Sequence, residues 1–105
     1  MKRKILYIIN PKSGTSAKSE LSDLIRSMTN PDNDEIEIIY TNGPKHALEL
    51  SKAAAKNKID IVAIAGGDGT INEAACGLVH SSTALAILPM GSGNGLARHL
   101  TIPGN

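Results

Sequence analysis

The stretch Ile61-Val62-Ala63-Ile64-Ala65-Gly66-Gly67-Asp68-Gly69-Thr70-Ile71-Asn72-Glu73-Ala74-Ala75-Cys76-Gly77-Leu78 decides the fold. Residues 61–65 are a short apolar run, residues 66–70 a glycine-rich loop that Thr70 carries into a helix, and Ile71, Ala74, Ala75 and Leu78 recur at helical spacing. The unit is strand, glycine-rich loop, helix. Outward from it the theme repeats. Residues 45–56 are rich in strong helix formers, with Ala47, Leu50 and Ala54 able to share one face. Before them Ile36, Ile38, Ile39 and Tyr40 form a β-branched run, closed by the turn chemistry of Thr41-Asn42-Gly43-Pro44. Residues 5–9 are continuously apolar between Lys4 and the Asn10-Pro11 breaker, the pattern of a strand buried on both faces. Leu21, Leu24, Ile25 and Met28 then fall at i, i+3, i+4 and i+7, a helical face on which Met28 is expected in the core.

On the other side, residues 85–88 repeat the apolar run, and Pro89-Met90-Gly91-Ser92-Gly93-Asn94-Gly95 leads into a short helix expected over residues 96–100. Four strand-then-helix units predict an α/β fold, a doubly wound parallel sheet with helices on both faces, because right-handed crossovers put the helices there. With 105 residues the chain is read as a single domain, and residues 101–105, with their Pro and Gly, as the beginning of a connection.

Composition narrows the function classes. Apolar residues make up 41% and charged residues 20%, as in ordinary globular chains, and the net charge of +1 gives no whole-domain attraction to nucleic acid or anionic membrane. Two tyrosines are the entire aromatic content, which removes the stacking platforms of single-strand nucleic-acid binders, so no nucleic-acid partner is expected. The lone Cys76 excludes an internal disulfide, fits a reducing cytoplasm and is read as a small buried helix residue. His46, His80 and His99 lack metal-ligand spacing, so no protein metal site is expected, and the apolar run near the start is too short for a transmembrane segment.

In open parallel sheets ligands bind at the carboxyl ends of the strands. Residues 10–14, 41–44, 66–73 and 91–95 should all gather on that edge, although they are remote in sequence. Glycines permit positive φ and close approach to a ligand, and the following helix N-terminus offers unpaired N–H groups, so Gly66, Gly67 and Gly69 around Asp68 have the composition of a phosphate cradle. The bland alternative is a tight strand-to-helix turn. No Gly-x-x-x-x-Gly-Lys-Ser/Thr stretch occurs, which excludes a P-loop. The segment from Gly91 to Leu96 lacks the third glycine of the dinucleotide fingerprint, which argues against a Rossmann dehydrogenase.

Three blocks now resemble a known family. Asn10-Pro11-Lys12-Ser13-Gly14, Gly66-Gly67-Asp68-Gly69-Thr70-Ile71-Asn72-Glu73 and the run from Leu88 to Arg98 look like the signature blocks of the diacylglycerol and sphingosine kinase catalytic domain, in matching order and spacing. Thr41 with His46-Ala47 resembles the element between the first two blocks. The Gly-Gly-Asp-Gly element alone is shared with NAD kinases and phosphofructokinases of the same fold group. Many bacterial diacylglycerol kinase-like members have Gly-Thr and Asn-Asp where this chain has Gly91-Ser92 and Asn94-Gly95, and its form looks closer to sphingoid-base kinases.

The resemblance implies a phosphofructokinase-like nucleotide-binding domain of a lipid kinase that uses ATP and Mg²⁺. It also implies a β-rich C-terminal domain, absent from this chain, that holds a lipid alcohol at the membrane surface. It assigns ATP to Asn10, Pro11, Lys12, Ser13, Gly14, Thr41, Gly67, Asp68, Gly69, Thr70, Ile71, Asn72, Glu73 and Ser92. Asp68 is the expected catalytic base, with ordering of magnesium and capping of the turn as rival roles. Glu73, placed in the first helical turn, is either a partner of the helix dipole or a nucleotide contact, and Arg98 and His46 are similarly open. The implied setting is cytoplasmic with transient contact at the inner membrane surface, and a homodimer is left open. An NAD kinase-like enzyme and a non-catalytic nucleotide-binding module are the competing functions.

Overall fold

The computed structural model describes residues 2–10, 18–88 and 100–102. In chain order they form β1 (Arg3–Ile9), α1 (Lys18–Met28), β2 (Asp34–Tyr40), α2 (His46–Lys56), β3 (Ile61–Ala65), α3 (Asp68–Leu78), β4 (Ala84–Leu88) and β5 (Leu100–Ile102). The strands make one sheet in the order β2-β1-β3-β4-β5, parallel through the first four, so the doubly wound α/β expectation holds. β5 differs from the expectation. Leu100 was expected to end a helix, but it pairs antiparallel with Ile87 at the edge of the sheet. Residues 96–99 of that expected helix lie outside the described residues.

Strand order and handedness fix which face each helix covers. The step from β1 to β2 runs one way across the sheet and the step from β2 to β3 runs back, so right-handed crossovers put α1 on one face and α2 with α3 on the other. The core divides accordingly. Leu6, Ile8, Val62, Ile64 and Leu85 pack with Ala47 and Ala54 of α2 and with Ala74 and Leu78 of α3. The alternate positions Ile5, Ile9, Ala63, Ala65, Ala86 and Leu88 pack with Ile25 of α1. Period-two alternation between two covered faces is why β1, β3 and β4 contain continuous apolar runs, whereas edge-side β2 keeps Glu35 and Glu37 exposed.

Two expectations of burial fail. Leu24 and Met28 are 40% and 60% exposed: Ile25 is the α1 residue that packs on the sheet, and Met28 borders an open cleft that it shares with Ile25, Ile5 and Ala63. Cys76 is exposed too: α3 buries Thr70, Ala74 and Leu78, spaced by four, and Cys76 falls between those rows. Thr83 and Asp60 close the opposite, amino-terminal edge. Thr83 Oγ1 donates to the Ile59 carbonyl at 2.7 Å, and the Lys4 N–H donates to Asp60 Oδ2 at 2.7 Å.

Where α2 and α3 meet, Gly77 has no room for a side chain. A Cβ there would lie 2.7 Å from Ser51 Cβ and 2.9 Å from the Leu48 carbonyl oxygen. The end of α2 is equally specific. The Ile59 N–H donates to the Ala54 carbonyl at 3.0 Å and the Lys58 N–H to that of Ala55 at 3.1 Å, which is the Schellman pattern, with Lys58 at φ 59° where glycine is usual. Lys58→Gly should therefore stabilise the chain by about 0.5–1 kcal/mol, read as a rise in the midpoint of urea unfolding. An unchanged or lower midpoint would show that the left-handed residue carries no strain.

Candidate active site

The reversal of direction between β1 and β3 is a topological switch point, where the crossover loops on either side diverge and leave a crevice. A cavity of about 440 Å³ opens there, within the usual range for small-molecule sites. Its lining comes from the carboxyl ends of three strands: Asn10 after β1; Thr41, Asn42, Gly43, Pro44 and Ala47 after β2; and Gly69, Thr70 and Glu73 on α3 after β3. Register brings them together, since Ile9 faces both Tyr40 and Ala65. Two backbone bonds close that edge, from the Asn10 N–H to the Ala65 carbonyl at 2.8 Å and from the Thr41 N–H to the Ile9 carbonyl at 2.9 Å.

The start of α3 is built for close contact. Asn10 Nδ2 donates to Thr70 Oγ1 at 2.9 Å, tying the end of β1 to the first turn of the helix. Gly66 lies under this bond: a Cβ would meet Asn10 Cβ and Thr70 Cβ, each at 3.1 Å. Gly67 caps the helix with extended backbone at φ −85° and contributes no side-chain cap, so among the described residues the first amides of α3 have no side-chain acceptor. Positive φ, expected of this loop, is not used: Gly67 is extended and Gly69 is helical. At both positions a Cβ would meet nothing within 4 Å. Glycine here leaves an open approach to the helix N-terminus and does not make the turn.

Asn10, Thr41, Gly69, Thr70 and Glu73 line the cavity, with Thr41 and Thr70 only 8% and 9% exposed. Gly67 and Asp68 stand at the N-terminus of α3, exposed and outside the lining. Ile71 packs partly buried against the core, and Asn72 is exposed on α3. Pro11, Lys12, Ser13, Gly14, Ser92 and Arg98 lie outside the described residues. Glu73 is in the second turn of α3, not the first, because the helix starts at Asp68 and not at Thr70. His46 opens α2, and its Nδ1 accepts the Asn42 N–H at 3.1 Å, which holds the Asn42 turn. Ala47 and the Asn42, Gly43 and Pro44 wall were not named as site residues. The Gly-Pro turn at a strand's carboxyl end was the available signal for the wall, and the His46-Ala47 pair of the resemblance was the signal for Ala47.

Among the described residues, no group of three or more His, Cys, Asp or Glu side chains gathers as a metal site, and no helix is long and apolar enough to cross a membrane. What the arrangement offers is an uncapped helix N-terminus, two buried threonines and a cavity at a switch point. That combination suits a phosphorylated ligand.

Comparison with known proteins identifies the family. The family model for the diacylglycerol kinase catalytic domain matches residues 4–105. Similar proteins include a diacylglycerol kinase of Bacillus subtilis, 36% identical over 98% of this chain and 34% of its own length. Another is sphingosine kinase B of Dictyostelium discoideum, 30% identical over 93% of this chain and 14% of that protein. The crystal structure of a diacylglycerol kinase from Bacillus anthracis superposes with a TM-score of 0.67 at 29% identity, covering 88% of this chain and 34% of that one. The chain thus spans about a third or less of the relatives it matches.

Proposed function

The chain belongs to the diacylglycerol kinase catalytic domain family, and from that premise we propose that it is the ATP-binding half of a lipid kinase, one that transfers the γ-phosphoryl group to a lipid hydroxyl. The acceptor is a lipid alcohol of the diacylglycerol or sphingoid-base type. The observation that carries the reading is the cavity at the switch point, bordered by the uncapped N-terminus of α3. The nucleoside end fits between the wall at Gly43 and Pro44 and the threonines, while the phosphates run toward the amides of α3, whose dipole favours negative charge.

Phosphoryl transfer asks for in-line positioning, charge stabilisation and a proton acceptor more than for covalent chemistry. Asp68, exposed on the first turn of α3, takes the last role: its carboxylate accepts the lipid hydroxyl proton as the oxygen bonds to the γ-phosphorus and the bond to ADP breaks. Magnesium arriving with the triphosphate supplies neutralisation of the phosphate charge. Asp68 is the carboxylate at the phosphate edge that fits it in the competing role, since this ion takes one or two carboxylates besides phosphate oxygens. A second, β-rich domain supplies the wall that brings the lipid hydroxyl in line.

The test is titration calorimetry of the chain with Mg-ATP, beside Gly67→Val and Gly69→Val. Both positions have open space for a side chain and neither needs left-handed backbone, so the variants should fold. Each should lose at least about tenfold in affinity because the branched side chain occupies the approach to the helix amides. Undiminished affinity in both folded variants would remove the phosphate edge. An acceptor panel separates the family branches: NADP formation without labelled lipid would reassign the chain to an NAD kinase-like activity.

A further inference from the structure

Glu73 presents an oddity. Of the described side chains that line the cavity it alone is charged, and its charge is negative, the wrong sign for a polyphosphate neighbour. Its hydrogen bond supplies another reason for a carboxylate at that place. Glu73 Oε2 accepts the backbone N–H of Lys45 at 3.1 Å. Lys45 sits at φ 68° and ψ −1°, the angles of the third residue of a type II turn, where glycine is usual because a side chain resists them. The turn is Gly43-Pro44-Lys45-His46, closed by the His46 N–H on the Gly43 carbonyl at 3.3 Å, and its first two residues are a wall of the cavity. Lys45 has no side-chain cap of its own, although it immediately precedes α2.

We propose that Glu73 is a positioning residue: its carboxylate holds the left-handed Lys45 turn against α3 and so fixes the distance between the cavity wall and the phosphate edge. This inference rests on the nucleotide reading of the cavity. A bond to a charged acceptor is the strong kind, and here it offsets a conformation that lysine resists. The bond ties the turn directly to α3, whereas the bond from Asn42 to His46 ties it only to the start of α2, so the loss of the Glu73 bond removes the direct link between the wall and α3.

The test is a double-mutant cycle read by Mg-ATP calorimetry and by hydrogen exchange of the Lys45 amide in the same chain. Glu73→Ala should weaken ATP by about tenfold in the parent but by less than about threefold in the Lys45→Gly background, where glycine takes the turn without help. Glu73→Gln keeps an acceptor oxygen of the same reach and should stay within about threefold of the parent. It also serves if Glu73→Ala does not fold. The same loss from Glu73→Ala in both backgrounds would make Glu73 a nucleotide contact and overturn the proposal. If the parent itself binds no ATP, the nucleotide reading fails separately. The amide then decides: faster Lys45 exchange in Glu73→Ala supports the staple, and unchanged exchange overturns it.

Discussion

Asp68→Asn, placed in the two-domain enzyme proposed above, should keep Mg-ATP affinity and lose about 10²- to 10⁴-fold in kcat, the usual worth of a positioned acid-base group. The amide is nearly isosteric, and Asp68 is exposed at the first turn of α3, so neither fold nor helix start should suffer. Radiolabel transfer to lipid, run beside calorimetry, reads the two quantities separately. A fall in ATP affinity that matches the fall in kcat would point to magnesium ordering in place of proton transfer. Near-normal kcat would remove Asp68 as the base. The 105-residue chain alone should bind Mg-ATP and phosphorylate nothing, because binding the nucleotide does not by itself orient a second substrate. Lipid turnover by this chain alone would defeat the two-domain proposal.

The largest expected effect on stability is at Gly77. The added methyl of Gly77→Ala would press on Ser51 Cβ at 2.7 Å and on the backbone of α2 at Leu48, where no rotamer change can relieve it. The helices must separate, at about 2–3 kcal/mol, or roughly 10–20 °C in Tm for a chain of this size. Ser51→Ala provides the contrast. Ser51 Oγ is buried without a hydrogen-bond partner, so its removal should be neutral or stabilising in the same thermal melt. A Gly77→Ala protein that melts with the parent would show that α2 and α3 are not held at this distance.

The sequence was most legible where one physical cause acts alone. Residues buried on both faces give continuous apolar runs, and the runs at 5–9, 61–65 and 85–88 fall inside β1, β3 and β4. The convergence of Asn10, Thr41, Gly69 and Thr70 was legible because strand ends in a parallel sheet must share an edge. Legibility failed where a residue's surroundings come from distant chain. Cys76, Leu24 and Met28 are apolar or sulfur-bearing residues on helices, and only the way each helix docks decides that they stay exposed. Gly77 reads as a weak helix residue until Ser51 and Leu48 are found against it. The role of Glu73 depends on a left-handed lysine, which no composition rule would suggest.

The place of β1 between β2 and β3 also sets a timetable for synthesis. Ile5 must pair with Ile36 on one side and with Ile61 on the other, so β1, made before both of its partners, stays incomplete until the later one arrives. At about 5–20 residues per second, several seconds pass between the emergence of β1 and the arrival of β3. Through that interval a β-branched, uncharged run, Ile5-Leu6-Tyr7-Ile8-Ile9, has at least one open edge, the kind of segment that pairs with copies of itself. Chain synthesis therefore carries a window of aggregation risk that closes only when β3 docks, and the yield of soluble chain should depend on how quickly translation passes through residues 10–65.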